Sequence, residues 1–212
     1  MWELLWPAIK ETLIMVVPST ILAVLIGFIP AIILVVTDEK GLKPNKAVYM
    51  TLDFIINVLR SLPFVILMIA IVPLTKFIVG TSIGEIAAIV PLTLASAPFI
   101  ARIIESALKE VDEGVIEAAK SFGATDMQII FKVMLKEAVP AIVSGITLSL
   151  ISIIGYSAMA GTIGAGGLGA LAVRYGYQRF QTDVMVVTVI VLIIIVQIIQ
   201  GLGNYLYNKL SK

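Results

Sequence analysis

The chain has 212 residues, of which 59% are hydrophobic and only 14% charged, where a soluble domain carries roughly 25% charge, so a water-soluble fold is excluded. Its 15 basic and 14 acidic residues leave a formal net charge of +1, too little to attract a phosphate backbone, and this removes nucleic acid as a partner. With no cysteine and no histidine, disulfides, thiolate or imidazole metal sites, Cys or His nucleophiles and histidine general bases are all excluded.

A helix rising 1.5 Å per residue needs about 20 apolar residues to cross roughly 30 Å of hydrocarbon. Five such runs follow one another. The first, Ala8 to Val36, is preceded by Met1, Trp2 and Glu3 with no basic leader, and it is too long for a signal peptide, so it reads as a retained span. Its length requires tilt, a bend at Pro18 or Pro30, or protrusion. The second run, Leu52 to Thr75, contains Pro63 and Pro73, and the third, Glu85 to Leu108, contains Pro91 and Pro98; bends are expected at these prolines, which neighbouring helices make tolerable. Asp53 and Arg60, seven residues apart, share a face near the cytoplasmic end of the second span and are placed to pair or to snorkel. Arg102 and Glu105 have the i,i+3 spacing of an intrahelical ion pair.

Between the third and fourth runs, over about residues 109–137, lies a structured connection. Asp112 is placed to cap a short helix with apolar positions at Val111, Val115, Ala118, Ala119 and Phe122, and Gly123 supplies a helix-ending residue. Thr125 to Gln128 then fits a capping box. A second amphipathic helix runs through Ile129, Ile130, Val133 and Met134 towards Pro140. Two capped helices joined at a glycine make a rigid elbow, either packed on its own subunit or inserted into a partner's groove.

The fourth run, Ala138 to Ala160, carries Ser149, Ser152, Tyr156 and Met159 at i, i+3, i+7 and i+10, one helical face. Two readings stand for that face: the lining of a pathway for an amino acid with an apolar, polarizable side chain, or helix packing through small polar residues. Gly164, Gly166 and Gly169 match G-x-G-x-x-G, but they follow a span instead of a strand, so they predict a compact external turn and no dinucleotide site. The fifth run is Asp183 to Tyr207.

Lys40, Lys43, Lys46, Arg102, Lys109, Lys120, Lys132, Lys136, Lys209 and Lys212 fall on one side of this five-span arrangement, and Lys10, Lys76, Arg174 and Arg179 on the other. The bias puts the N-terminus outside and the C-terminus in the cytoplasm.

Glu117, Ala118 and Ala119, then Gly123, an apolar helix and a proline resemble the EAA loop of ABC importer permeases. Arg60 to Pro63 (RSLP), Pro98 to Arg102 (PFIAR), Gly155 to Met159 (GYSAM), Gly164 to Gly169 (GAGGLG) and Tyr175 to Tyr177 (YGY) resemble the methionine-importer branch of that family, and the likeness runs from about Ser61 to Gly203. One departure is Lys136, where the family usually has a proline; Pro140 is expected to break the helix instead. The resemblance implies an all-α, five-span inner-membrane permease of the type I importer kind, forming one domain over residues 1–212. It implies coupling through Glu117, Ala118, Ala119 and Gly123 to two cytoplasmic P-loop ATPases that bind ATP and magnesium. It also implies a second copy of the chain, an external substrate-binding lipoprotein, and methionine in D or L form as cargo.

No G-x-x-x-x-G-K-[ST] motif is present, so the chain itself has no sequence basis for binding ATP and needs no cofactor of its own. The alternative class is a secondary transporter or channel without an ATPase. It is weakened by the lack of a carboxylate near any span centre and of a visible inverted repeat. An intramembrane enzyme would lack His, Cys and a paired-aspartate motif within its spans.

Overall fold

The computed structural model describes residues 2–211; Met1, and Lys212 from the basic tail, lie outside the described residues. Helix α1, Trp2–Thr37, runs 36 residues through Pro7, Pro18 and Pro30 without interruption. At 1.5 Å per residue it is about 54 Å long, so it must tilt or emerge from a hydrocarbon layer of about 30 Å. The Ser19 and Thr20 hydroxyls donate to the Met15 and Val16 carbonyls beside the proline, where backbone bonding is disturbed.

The expected second span is corrected. In place of one helix there are three: α2 (Lys46–Ser61), α3 (Phe64–Ala70) and α4 (Val72–Val79). Pro63 sets the break, because a residue before proline is pushed out of the helical region, and Leu62 is extended at φ −78°, ψ 126°. The chain turns by 101° between α2 and α3. Pro73 sits in the first turn of α4, where its missing N–H costs nothing.

Helix α5, Glu85–Lys109, keeps Pro91 and Pro98 inside it. After the short α6, Glu113–Ser121, helix α7 runs from Asp126 to Ala165, with π turns at Ile129–Met134 and Gly161–Ala165 and a kink near its end, where Gly164 takes φ 105°. Pro140 therefore does not end the elbow's second helix, contrary to expectation. Met134 and Ala138, both buried, pin this part of α7 into the same core cluster as α5 and offset the one lost backbone bond. Helix α8, Gly167–Leu171, continues as a π turn over Ala172–Tyr177, and α9 spans Thr182–Leu210. Helices α1, α5, α7 and α9 are each long and apolar enough to cross a membrane, and the bent α2–α3 pair makes the fifth span.

The core is centred on α1 against α5. Ala23, Gly27 and Ala31 recur every fourth residue and form a buried stripe on α1 facing Ala97, Ile100 and Ala101 of α5. A Cβ at Gly27 would stand 2.6 Å from the Ala97 carbonyl oxygen, so glycine here is what lets two backbones touch. Such close packing supplies the attraction that hydrophobicity cannot supply between helices already in lipid. Helix α9 is the opposite case, with only Val184, Thr188 and Gly203 buried.

The glycine-rich segment is a compact turn, as its spacing predicts, with positive φ at Gly164, Gly166 and Gly167. It is pinned from outside itself. The Gly167 N–H donates to the Glu11 carboxylate (2.6 Å) and the Leu168 N–H to Thr12 Oγ1 (2.9 Å), while the Gly84 N–H donates to the Gly164 carbonyl at 3.0 Å.

Candidate coupling elbow and translocation pathway

The elbow forms by local capping. Asp112 accepts from the Gly114 N–H at 2.7 Å. The Thr125 N–H donates to Gln128 Oε1 at 2.9 Å while the Gln128 N–H reaches the Thr125 hydroxyl at 3.4 Å, closing the capping box. Between the two caps, Gly123 takes φ 77° with open space around its missing Cβ, the left-handed corner that an L side chain resists.

Only one side of α6 faces the protein. Ile116, Ala119 and Ala124 pack on the α1–α5 core, and exposed ion pairs run from Lys40 to Glu113 (3.4 Å) and from Lys43 to Asp126 (3.2 Å). Glu117, Ala118 and Gly123 are exposed. Of the apolar positions read from the sequence, Val111 is buried, whereas Val115 is 41% and Phe122 92% exposed, with Met127 beside them at 63%. The stripe is therefore split: Val115, Ala118 and Phe122 point away from the core, while Val111 and Ala119 face it. Sequence periodicity names these positions without saying which way they face.

Above the elbow, charges tie α5 to α2 and to the loop that follows α1. Arg102 bonds Asp53 of α2 at 2.6 Å and Glu105 at 2.7 Å, and Lys109 bonds Glu105 at 2.8 Å and Asp38 at 2.6 Å. Glu105 is only 2% exposed and is satisfied by both cations. The Arg102–Glu105 pair is the one expected from spacing. The expected Asp53–Arg60 relation is corrected, because Asp53 turns to Arg102 on the neighbouring helix, where two hydrogen-bond acceptors, its own carboxylate and Asn57, meet one guanidinium. Beyond the end of α1, the hydrogen bond from Lys109 holds the Asp38 carboxyl below its ordinary value.

The four pathway candidates on α7 do not share one environment. Ser149 is 1% exposed and donates to the Gly145 carbonyl, and Ser152 donates to the Leu148 carbonyl; these bonds suit helix packing. Tyr156 is half-buried and stacked on Phe64 at 4.9 Å, and Met159 is 47% exposed. Tyr156 lines a cavity of about 130 Å³ at the α2–α3 bend, with Arg60, Leu62, Phe64, Ala95 and Phe99. Sequence reasoning singled out Tyr156 but missed Phe64 and Phe99 as its companions, since they come from helices distant in the chain. The RSLP block was the available signal.

Residues 23–212 match the family model described as "Binding-protein-dependent transport system inner membrane component". A probable D-methionine transport system permease protein of Vibrio cholerae is 49% identical over 98% of this chain and 92% of its own length. The methionine import system permease protein of Bacillus subtilis is 48% identical over 98% and 94%. Among solved structures, an inward-facing MetNI methionine ABC transporter superposes with a TM-score of 0.97 at 44% identity, covering 100% of this chain and 98% of that one. A chain this similar over nearly its full length, with the same helical arrangement, belongs to the family of inner-membrane components of binding-protein-dependent transport systems.

Proposed function

We propose that this chain is the permease subunit of an ATP-driven importer that carries methionine, or a closely related amino acid, into the cytoplasm. It works as two copies facing each other, each docked on a cytoplasmic P-loop ATPase that binds ATP and magnesium, and it receives cargo from an external binding protein. The N-terminus lies outside and the C-terminus inside. The observation that carries this reading is the elbow: α6 is held rigidly to the core on one side and on the other offers Phe122, 92% exposed, beside Glu117, Ala118 and Gly123. A rigid, capped helix with an uncovered aromatic is the form taken by a helix-in-groove contact.

In mechanism, closure of the ATPase pair would push on α6. The core contacts of Ile116 and Ala119 and the continuous α7 then carry that displacement into the membrane. The lever is stiff because α7 has no break at Pro140. The cargo assignment draws on the methionine named for relatives 43–49% identical to this chain.

The test is reconstitution of the permease with its ATPase in lipid vesicles, with the binding protein and labelled methionine outside. Accumulation that requires both ATP and the binding protein is expected. Uptake that proceeds without an ATPase would establish the secondary-transporter reading instead, and robust uptake of a sugar but not methionine would overturn the cargo.

A further inference from the structure

Of the charged side chains around the α2–α5 contact, Asp53, Arg102, Glu105 and Lys109 are tied to ionic partners, and Arg60 is not. Arg60 makes no ion pair and no hydrogen bond among the described residues; it lies over the Phe99 ring, 5.8 Å from its centroid. Phe99 is ten residues from Lys109, the end of α5, which at 1.5 Å per residue places it about 15 Å inside that end. That is farther than an arginine side chain extends, so snorkelling to the cytoplasmic interface is not available. An uncompensated guanidinium at mid-membrane is costly against lipid and belongs in a water-filled or ligand-filled cavity.

Such a cavity is present. Arg60 lines the space of about 130 Å³ at the α2–α3 bend, together with Phe64, Phe99 and Tyr156. The bend is what creates it, because Pro63 stops α2 at Ser61, one residue beyond Arg60, and α3 swings away by 101°. The chemistry at the two ends differs: a planar fork of donors suited to a carboxylate on one side, and the stacked Phe64 and Tyr156 rings on the other. Aromatic walls make favourable contact with a thioether sulfur.

Resting on the amino-acid importer reading, we infer that Arg60 is a carboxylate-binding residue of the translocation pathway, holding the α-carboxylate of the passing amino acid at mid-membrane while its side chain lies along the Phe64–Tyr156 wall. A cavity this small accommodates the carboxylate end of the cargo, and the rest of the molecule extends into space shared with the second copy.

The experiment uses the complete permease–ATPase complex in vesicles with its binding protein, and compares Arg60→Gln and Arg60→Lys with the wild type. Labelled methionine uptake and binding-protein-stimulated ATP hydrolysis are measured together. Arg60→Gln is expected to lower uptake about tenfold or more while stimulated hydrolysis stays within about twofold. Arg60→Lys, which keeps the charge, should recover a substantial part of the uptake. Uptake by Arg60→Gln within about twofold of wild type would overturn the inference, and so would loss of assembly or of stimulated hydrolysis in both variants, which would make Arg60 a structural residue. Failure of the wild type itself to import methionine would overturn the amino-acid reading first, and this inference with it.

Discussion

The α1–α5 crossing and the α6–α7 elbow both place small residues on a helix surface, and the two regions use them in opposite directions. At the crossing, Ala23, Gly27 and Ala31 are buried against Ala97 and Ala101. At the elbow, Ala118 and Gly123 stay exposed while Ala119 faces inward. Small residues announce close approach but not the identity of the approaching surface. The neighbour decides: an interior helix in the first case, empty space beside an exposed phenylalanine in the second. Stability should accordingly concentrate in the crossing and coupling in the elbow.

The harshest way to break that division is Gly27→Leu. The added side chain would meet the Ala97 carbonyl and the Ala101 N–H, both backbone atoms that cannot yield, and overpacking of this kind costs about 3 kcal/mol or more. The expected outcome is little or no folded protein on size-exclusion chromatography in detergent. Next comes Arg102→Gln, which leaves the buried Glu105 with Lys109 as its one cation, beside the Tyr49 hydroxyl. Breaking buried pairs costs about 3–5 kcal/mol, and with Arg102 22% exposed about 2 kcal/mol is expected, read as a lowered thermal midpoint.

Gly123→Val tests the elbow. Forcing a β-branched residue to φ 77° costs about 1–2 kcal/mol locally, yet transport should fall about tenfold because the corner aims α6. Wild-type transport and ATPase activity in this variant would remove the elbow from the coupling path. Phe122→Ala should shift the thermal midpoint least of the elbow changes, within about 0.5 kcal/mol, while abolishing stimulated ATP hydrolysis. A large drop in its thermal midpoint would mean that Phe122 is packed after all, and the contrast between the regions would fail.

The smallest effect is one of pH. Asp38 titrates below its ordinary 3.8, so its bond to Lys109 stabilises the fold at neutral pH and is lost only as pH falls through the acidic range beneath that value. Asp38→Asn should therefore lower the thermal midpoint slightly at pH 7, with the gap to wild type closing as the solution becomes strongly acidic.

What the sequence made legible was local. The caps at Asp112 and at Thr125–Gln128 and the corner at Gly123 involve partners within a few residues, and each was identifiable from spacing. The prolines show where that stops. Pro63 breaks a span, while Pro18, Pro91, Pro98 and Pro140 are absorbed within helices. The residue type is the same throughout; the difference lies in packing, for Met134 and Ala138 hold α7 in the core on the N-terminal side of Pro140, whereas the α2–α3 junction opens onto a cavity. Asp53 likewise had a plausible partner along its own helix in Arg60 and took Arg102 from another, a choice fixed by tertiary geometry that helical periodicity does not encode.

One contact has a consequence for biosynthesis. The Glu11 carboxylate receives its hydrogen bond from the Gly167 amide, 156 residues later in the chain. At about 5–20 residues per second, on the order of 8–30 seconds separate the synthesis of the two. During that interval the nascent first helix carries an acceptor whose donor does not yet exist. Final seating of α1 must therefore wait for the glycine-rich turn, which makes this turn a late checkpoint in assembly: until it arrives, the N-terminal part of the first helix lacks this latch.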